Sequence, residues 1–409
     1  MDWKSLAFLL VALCVTASAF AQLPVEGAID FTGGPGAPAA DDEGMDHGPA
    51  WLSGVELEAT YSGGIGLIME NRCVSCHRLG GSAPMPMSTY SEVKAWSQNM
   101  KTNIETDLMP PWPATRATQY ANAAFLTPKE KDVFLEWISA GYPRGEGEYT
   151  PANAVGEWSI GEPDHVFSLP AYTIPEDVAE EVREFTIETN FDEDKWIVAA
   201  QIKPTDPYIL LEIDAGPLGA WHATNDTVAP SDGAAYLLKK GEAVTVRVFY
   251  VSEEGWEEFD DSTKIAVKFA DAPPANGRTL LRDRMANDAF TLPAGSESAE
   301  ASATFVFPAD GHIVAANPVL RERGKSVRLT ATPPNGAQQE FLSIPHWNPT
   351  QHFRYQLATP IPAPKGTTVT ITATYDNSDA NILNPDPTAG VTAGPGGEVL
   401  EGWLEYTLD

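Results

Sequence analysis

The stretch Cys73-Val74-Ser75-Cys76-His77 decides the expected fold of the N-terminal part of this chain. Its C-x-x-C-H spacing is typical of a c-type haem attachment site, in which two thiols bind the haem vinyl groups and the adjacent histidine ligates iron. Cys73 and Cys76 are therefore predicted to hold one haem c covalently, and His77 is predicted to be an axial ligand of its iron. The alternatives are a chance match or half of a zinc site built on the C-x-x-C pair.

Residues 1–21 have the features of a secretory signal peptide: Lys4, a short apolar run and a small-residue cleavage site that ends at Ala21. Cleavage before Gln22 would give a periplasmic or otherwise exported protein, and it would remove Cys14. Haem would then use both remaining cysteines. A retained membrane anchor is the alternative, although the apolar run is short for a span, and no later segment is long and apolar enough to cross a bilayer.

The chain is strongly acidic. Its 409 residues include 57 Asp and Glu but only 26 Lys and Arg, for a formal net charge of -31. This charge disfavours nucleic acid or an anionic membrane surface as a partner and suits a redox partner with a cationic docking surface, within a larger complex or outside one. Residues 22–50, rich in Gly, Pro, Ala and acidic residues, are predicted to be a disordered linker in which His47 is solvated.

Residues 51–143 are predicted to form a small all-α domain around the haem. A short helix leads into the haem motif, and Ser88 or Thr89 caps a second helix whose apolar residues recur at helical spacing. A capping box begins at Thr127 and has proline at its next position, so a third helix is predicted to start there and to stop at Gly141.

The sixth iron ligand has to come from a loop on the other haem face. We predict Met109, because the prolines that follow it would stiffen the loop and Trp112 could pack against the haem edge. Met85, Met87 and Met100 are the alternatives. Met85 and Met87 follow the haem motif closely, and Met100 belongs to a helix face. Iron with two axial ligands passes single electrons and has no open position for oxygen.

Beyond a linker over residues 143–157, the sequence changes to short β-type runs separated by Gly, Pro, Asn and Asp. Residues 144–272 and 278–409 are predicted to form two all-β antiparallel sandwiches. The predicted strands cover residues 184–188, 196–202, 208–213, 244–251 and 265–269, and then 303–307, 326–332, 352–357, 368–375 and 403–408.

Several segments also carry a resemblance to a known family: Ala83-Pro84, Thr89-Tyr90, Met109-Pro110-Pro111-Trp112, Leu126-Thr127, Trp137-Ile138 and Ala140-Gly141. Here the chain resembles the haem domain found in front of bacterial proteins related to copper type II, ascorbate-dependent monooxygenases. These are relatives of peptidylglycine hydroxylating monooxygenase and dopamine β-monooxygenase. The resemblance continues to the C-terminus, where it implies two jelly-roll domains with one copper in each. The expected fold is therefore a small all-α cytochrome c domain followed by two antiparallel jelly-roll sandwiches.

The same resemblance marks six positions where the family has copper ligands. In this chain they hold Leu211, Glu212, Phe249, Val319, Arg321 and Val399. None of these is the histidine or methionine that the resemblance implies, and an arginine would repel a metal ion. Copper is therefore not expected. The remaining histidines, at 165, 222, 312, 346 and 352, are scattered, and His312 is the one nearest a lost ligand segment.

We favour an exported monohaem c-type cytochrome that carries single electrons, in which the β domains serve as a platform for docking or assembly. The alternative is an enzyme: a haem-fed, copper-dependent monooxygenase with non-standard ligands around His312, His346 or His352. A carbohydrate-binding role for the β domains is a third hypothesis. Exposed tryptophans such as Trp221 and Trp347 would then be contact points, as would Trp256, although tryptophans more often belong to the core.

Overall fold

The computed structural model describes residues 55–79, 81, 83, 85–151, 157–176, 180–206, 209–222, 227–228, 233–251, 258–274, 278–394 and 396–409. The predicted signal peptide, the predicted linker with His47, and Trp256 lie outside these residues. Within them, no helix combines the length and apolar character that a membrane span needs. Gly54–Asp409 form one unit.

The described residues of the N-terminal part of this unit contain three α-helices: α1 (Ile65–Arg72), α2 (Tyr90–Glu105) and α3 (Pro128–Ser139). Thr89 caps α2 and Thr127 caps α3, and both helices have a complete capping box with a glutamate at the third helical position. Gly141, just after α3, has a φ of 81°, a conformation that ends a helix and suits glycine. The helix starts predicted from the sequence are therefore confirmed.

The three helices share an apolar core. Ile65, Val93, Phe134 and Trp137 are all fully buried within it. The core also contains a charged pair, because Arg72 at the end of α1 donates to both carboxylate oxygens of Glu130 in α3, at 2.8 and 3.2 Å. This fork-to-fork ion pair fixes the chain just before Cys73.

In the described part of residues 165–269, eleven strands form the first β sandwich. One main sheet has the order β1-β11-β4-β7, with β8 also paired to β4; the other has the order β3-β9-β5-β6, and β2 pairs with β10 in a small third sheet. The strands are β1 (His165–Ser168), β2 (Tyr172–Ile174), β3 (Glu180–Glu188), β4 (Lys195–Lys203), β5 (Leu210–Asp214), β6 (Ala220–Trp221), β7 (Thr227–Val228), β8 (Tyr236–Leu238), β9 (Ala243–Val251), β10 (Phe259–Asp261) and β11 (Lys264–Phe269).

Ten strands form the second sandwich, between residues 280 and 408. Its two main sheets have the orders β12-β21-β15-β18 and β14-β19-β16-β17. The strands are β12 (Leu280–Ala286), β13 (Thr291–Leu292), β14 (Ala299–Val306), β15 (Gly311–Val319), β16 (Gly324–Thr332), β17 (Gln339–Ile344), β18 (Tyr355–Ala363), β19 (Thr368–Tyr375), β20 (Val391–Thr392) and β21 (Glu401–Leu408). The sheet pairings of both sandwiches are antiparallel, so the two predicted all-β sandwiches are confirmed.

The segment between α2 and α3 packs against the second sandwich. Trp112 makes ring contacts with Phe353 and Tyr355, at centroid distances of 5.7 and 5.1 Å. Tyr120 donates from its hydroxyl to the Phe341 carbonyl, and it forms an isolated β-bridge with Leu357. The helical part is therefore held to the second sandwich by a sequence segment that belongs to no helix.

Candidate functional site

The residues of the C-x-x-C-H motif form one tight turn at the end of α1. The Cys73 amide donates to the Met69 carbonyl, and the His77 amide donates to the Cys73 carbonyl at 2.9 Å. Gly81 closes the turn, because a Cβ there would lie 2.2 Å from the Cys76 carbonyl oxygen. The backbone thus presents both cysteines and the histidine from one short loop.

Neither cysteine forms a disulfide. The pKa of the Cys73 thiol is raised to about 12, chiefly by burial and also by the neighbouring Cys76. The Cys73 thiol therefore stays protonated at neutral pH when no metal or haem is bound.

The imidazole of His77 is held in one orientation. Its Nδ1 lies 3.1 Å from the Met85 carbonyl oxygen, so Nδ1 carries the proton and donates it, and Nε2 has a lone pair. Burial lowers the pKa of His77, which favours the neutral ring. A neutral imidazole whose second nitrogen is fixed by a backbone carbonyl is the usual arrangement of a metal-ligating histidine.

The methionines proposed as sixth ligands lie in different surroundings. Met87 and Met100 are buried in the helical core, and Met85 packs against it. Met109 is 42% exposed, in the loop after α2, where its amide donates to the Asn103 carbonyl. Of these four side chains, Met109 is the one that does not pack in or against the helical core.

Trp112 belongs to the aromatic cluster against the second sandwich described above, and its suggested contact with a haem edge stays a prediction. Its four ring contacts are with Tyr120, Phe125, Phe353 and Tyr355. The structure thus gives Trp112 a role in joining the helical part to the second sandwich. The sequence could not reveal this, because Phe353 and Tyr355 are more than 200 residues further along the chain.

Glu212, Phe249 and Arg321, three of the positions marked by the sequence resemblance, meet where the two sandwiches face each other. Glu212 in β5 and Phe249 in β9 are register partners in the first sandwich. The guanidinium of Arg321 comes from the second sandwich and lies 4.9 Å from the Phe249 ring centre. Arg321 also pairs with Glu180 of β3 at 2.6 Å. These side chains bridge the two sandwiches directly.

Further charged pairs cross the same interface. Arg247 of β9 pairs with Glu401 of β21 at 3.4 Å, and Asp214 of β5 pairs with Arg282 of β12. We call these contacts, together with those of Glu180, Glu212, Phe249, Arg321 and Trp403, the inter-sandwich network. Its members come from strands β3, β5, β9, β12 and β21 and from the loop after β15.

Glu212 is the most perturbed acid of this network. It is buried, and its Oε1 accepts a hydrogen bond from Trp403 Nε1 at 3.0 Å. Its pKa is raised to about 8, first by burial and then by the charges of Glu401 and Asp214, with Arg247 and Arg282 acting in the opposite direction. At neutral pH this side chain is therefore largely a protonated acid.

The other histidines are not gathered into one site. His165 begins β1 and is exposed, and His346 is exposed. His312 lies in β15, where its Nδ1 is 3.4 Å from Asp409. His222 and His352, by contrast, are both buried and in ring contact. Sequence reasoning missed this pair, because the two residues are 130 positions apart.

Two of the three tryptophans considered for sugar binding belong to the protein interior. Trp221 is 2% exposed and Trp347 is 8% exposed. Neither ring is available to stack on a carbohydrate, so the hypothesis of sugar contacts at these two residues is wrong. The more common fate of tryptophan, as part of a core, applies to both.

The sequence matches no known family model and no curated protein. Among solved structures it is similar to a structure of the infectious bursal disease virus Gx strain, with 12% identity and a TM-score of 0.20 over 60% of this chain and 73% of that chain. It is also similar to the PBCV-1 virus capsid, with 10% identity and a TM-score of 0.23 over 60% of this chain and 95% of that one. A two-domain protein of unknown function from Bacteroides fragilis gives 9% identity and a TM-score of 0.18 over 58% and 94%. Scores this low carry no argument about function.

Proposed function

We propose that this chain is an exported monohaem c-type cytochrome that carries single electrons, with the two β sandwiches as a platform for docking or assembly. The observation that carries the proposal is the hydrogen bond from His77 Nδ1 to the Met85 carbonyl. It orients a neutral imidazole, with Nε2 as the ligating atom, directly beside two thiols that form no disulfide.

The residues present fit a covalently bound haem c. Cys73 and Cys76 would form its thioether bonds, and His77 Nε2 would bind its iron. When bound, haem supplies a single redox-active iron whose potential depends on its axial ligands. The chain's own contribution is to hold His77 as a neutral ligand and, through the Arg72–Glu130 pair, to fix the helix end from which the motif begins.

Met109 is the proposed second axial ligand. The Met85 carbonyl accepts from His77 Nδ1, the ring nitrogen that would not bind iron, so the segment with Met85 and Met87 would lie on the His77 side of a bound haem. The Met87 amide, which donates to the His77 carbonyl at 2.8 Å, strengthens that argument. Met100 is used in the helical core. Met109, exposed and in a separate loop, is the candidate that remains.

The inter-sandwich network supports a platform rather than an enzyme. Two of the positions aligned with copper ligands hold Glu212 and Arg321. Glu212 accepts a hydrogen bond from Trp403, and Arg321 pairs with Glu180. An arginine cation repels a metal ion, so its presence in the network disfavours a copper ion at these positions. The likeness to the monooxygenase family, with its jelly-roll topology, is part of this proposal and rests on the sequence motifs quoted above.

The proposed partner is a redox protein with a cationic docking surface. The formal charge of -31 would attract such a protein over a distance of about one Debye length, ~10 Å in 0.1 M salt. Electron transfer between the two should then slow as salt is added, since exposed charges steer the encounter.

The experiment is to purify the exported protein and record its iron content and its oxidised and reduced visible spectra. Haem that stays with the polypeptide under denaturing conditions, in a ratio of about one iron per chain, is the expected result. The Cys73→Ala and Cys76→Ala variants should each lose one thioether bond. Oxygen uptake coupled to hydroxylation of a substrate, or the absence of covalent haem in a host that makes c-type cytochromes, would overturn the proposal.

A further inference from the structure

Residues 112–123, which we call the strap, close the second sandwich along one side. Each main sheet of that sandwich ends there in an edge strand, β17 in one sheet and β18 in the other. The Thr115 amide of the strap donates to the Ser343 carbonyl of β17 at 2.8 Å, and the Ala121 amide donates to the Gln356 carbonyl of β18 at 2.8 Å. One segment therefore binds the edges of both sheets.

Further hydrogen bonds join the strap to β18 and to the residue before it. The Ala358 amide of β18 donates to the Gln119 carbonyl of the strap at 3.0 Å. The Asn122 side chain bonds the backbone with both of its polar atoms: Nδ2 donates to the Arg354 carbonyl, and Oδ1 accepts from the Gln356 amide at 3.0 Å. These bonds are formed together when the strap lies on the edge strand and are lost together when it lifts.

The N-terminal end of the strap follows the proposed iron ligand closely. Trp112 comes three residues after Met109, so the two Cα atoms are at most about 11 Å apart. Pro110 and Pro111 lie between them, and each proline restricts the backbone to a narrow range of φ. A displacement of Met109 is therefore passed to Trp112 rather than absorbed by a flexible linker.

The C-terminal end of the strap is fixed to the haem motif. The Ala123 carbonyl accepts a hydrogen bond from Nη1 of Arg72, the residue directly before Cys73. The same guanidinium is held by Glu130. The strap thus begins near the proposed methionine ligand and ends at the helix that leads into the C-x-x-C-H turn.

We propose that the strap couples the axial ligation of the haem to the closure of the second sandwich. This inference rests on the function proposed above. While Met109 is bound to iron, both ends of the strap are fixed, so little further backbone entropy is lost when it pairs with β18. When the bond between iron and the thioether is broken, the N-terminal end is free and the pairing costs more. The paired strap and the lifted strap are the two states of this device.

Coupling between two sites is reciprocal. A strap that pairs less well with β18 should also hold Met109 less well on iron, so a competing ligand should displace the thioether more easily. Loss of one strap contact leaves Met109 bound, and the absorption spectrum without a competitor stays that of the wild type. A change at the edge of the sandwich thereby changes the strength of the bond between iron and Met109.

The first experiment uses the exported protein with its haem and follows amide hydrogen exchange at Thr115, Ala121 and Ala358. Imidazole binds ferric haem iron in place of a thioether and leaves the chain unchanged. Its addition to the wild type should raise exchange at these three amides by about tenfold or more. Met109→Leu should have the same effect without imidazole. Met85→Leu is the matched control and should exchange like the wild type.

The second experiment measures the reverse effect, as the affinity of the oxidised protein for imidazole. Asn122→Ala removes two hydrogen bonds of the strap and should raise this affinity roughly fivefold. Asn287→Ala is the matched control, because this asparagine of the same sandwich also bonds the backbone with both side-chain atoms. It donates to the Ser302 carbonyl and accepts from the Ala289 amide, both at 3.1 Å. Its loss should leave the affinity unchanged.

The outcomes separate this inference from the proposed function. Imidazole that displaces Met109 without faster exchange at the three amides would overturn the coupling, as would equal imidazole affinities of the two asparagine variants. In both cases the cytochrome proposal stands. Retention of the near-infrared methionine band in Met109→Leu would overturn the ligand and the role of the strap together. A protein without covalent haem would overturn the proposed function, and this inference with it.

Discussion

At the scale of single residues, the most informative side chains have pKa values or exposures that the sequence does not reveal. Glu212 has a raised pKa because it is buried near two other carboxylates, although Arg247 and Arg282 are also close. Met109 stays exposed, whereas Met87 and Met100 are buried. Both observations lead to predictions that a single substitution can test.

Glu212→Gln should make stability less dependent on pH. The pKa of Glu212 is about 8 in the folded protein and near 4.5 when unfolded. The folded state therefore binds an extra proton between these values, so Glu212 lowers the free energy of unfolding as pH rises through that window. Glutamine keeps an acceptor for Trp403 Nε1 without the charge. We expect the free energy of unfolding of Glu212→Gln to exceed that of the wild type by roughly 1–3 kcal/mol at pH 9 and to be almost the same at pH 4.

Denaturant unfolding across pH 4–9 measures this effect. Glu184→Gln is the matched control, because it removes an exposed carboxylate from the same sheet. A variant at Glu212 whose stability falls between pH 5 and pH 8 as steeply as that of the wild type would contradict the prediction.

Met109→Leu should remove the thioether ligand while it keeps the size of the side chain. The expected result is loss of the near-infrared methionine-to-iron band and a lower haem potential, because thioether sulfur raises that potential. Met85→Leu and Met87→Leu are the controls, and both should retain the band. If the band is retained in Met109→Leu and lost in Met85→Leu or Met87→Leu, Met109 is not the ligand and the methionine of that control is.

At the scale of elements, the two capped helices differ in what their capping glutamate does. Glu92 of α2 caps the backbone at a partly exposed site, where its Oε2 accepts from the amides of Ser88 and Thr89. Glu130 of α3 has the same capping role, but it is fully buried and also binds Arg72 of α1. The capping glutamate of α2 therefore caps its helix, whereas that of α3 caps its helix and also pairs with a buried arginine.

Glu130→Ala should cost about 3–5 kcal/mol, because it leaves the buried Arg72 without its carboxylate. Glu92→Ala, the matched control, should cost about 1 kcal/mol, the usual value of a lost cap. Amide hydrogen exchange measured along α1 and α3 should rise strongly in the first variant and little in the second. Equal effects of the two changes would mean that the ion pair adds nothing to the cap.

At the scale of the whole molecule, two interfaces join the parts of the described chain. The segment with Trp112 and Tyr120 packs on the second sandwich. The inter-sandwich network joins the two β units, and Arg321 is its most contacted cation. Each interface can be weakened by one substitution without a change in the haem motif.

Trp112→Ala should loosen the helical part from the second sandwich. The ring contacts with Tyr120, Phe353 and Tyr355 would be lost, at a cost of about 3 kcal/mol. Faster proteolysis and faster hydrogen exchange are expected between residues 112 and 123, with an unchanged haem spectrum. Trp96→Ala, at a 37% exposed position of α2, is the control and should leave the rates of proteolysis and hydrogen exchange unchanged. Equal rates in the two variants would contradict the role of Trp112 in the interface.

Arg321→Met should weaken the contact between the sandwiches by about 2–4 kcal/mol, because it leaves Glu180 without its cationic partner. Hydrogen exchange in β3 and β9 reports this loss. Arg183→Met removes an arginine from β3 that is more exposed and pairs with Glu181, and it should cost less than about 1 kcal/mol. If amide hydrogen exchange in β3 and β9 is the same in the two variants, the ion pair of Arg321 does not stabilise the interface between the sandwiches.

The sequence by itself determined the local structure. The capping residues Thr89 and Thr127 fixed two helix starts, and the short spacing of the C-x-x-C-H motif kept its two cysteines and its histidine in one turn. Each of the ten predicted strands overlaps a strand of the structure, although the one predicted over residues 352–357 begins only at Tyr355. Along β19, for example, buried and half-buried residues alternate, as they must when one face of a strand meets a core.

Only the tertiary structure decided which residues are buried where the two sandwiches pack against other parts of the chain. Strand β15 was missed because both of its faces are buried, so its residues do not alternate. Glu401 and Glu405 occupy alternate positions of β21 that would normally face water, yet they are buried. His222 and His352 meet for the same reason. Periodicity shows which face of a strand is apolar, but only the packing of distant segments determines whether the other face meets water or protein.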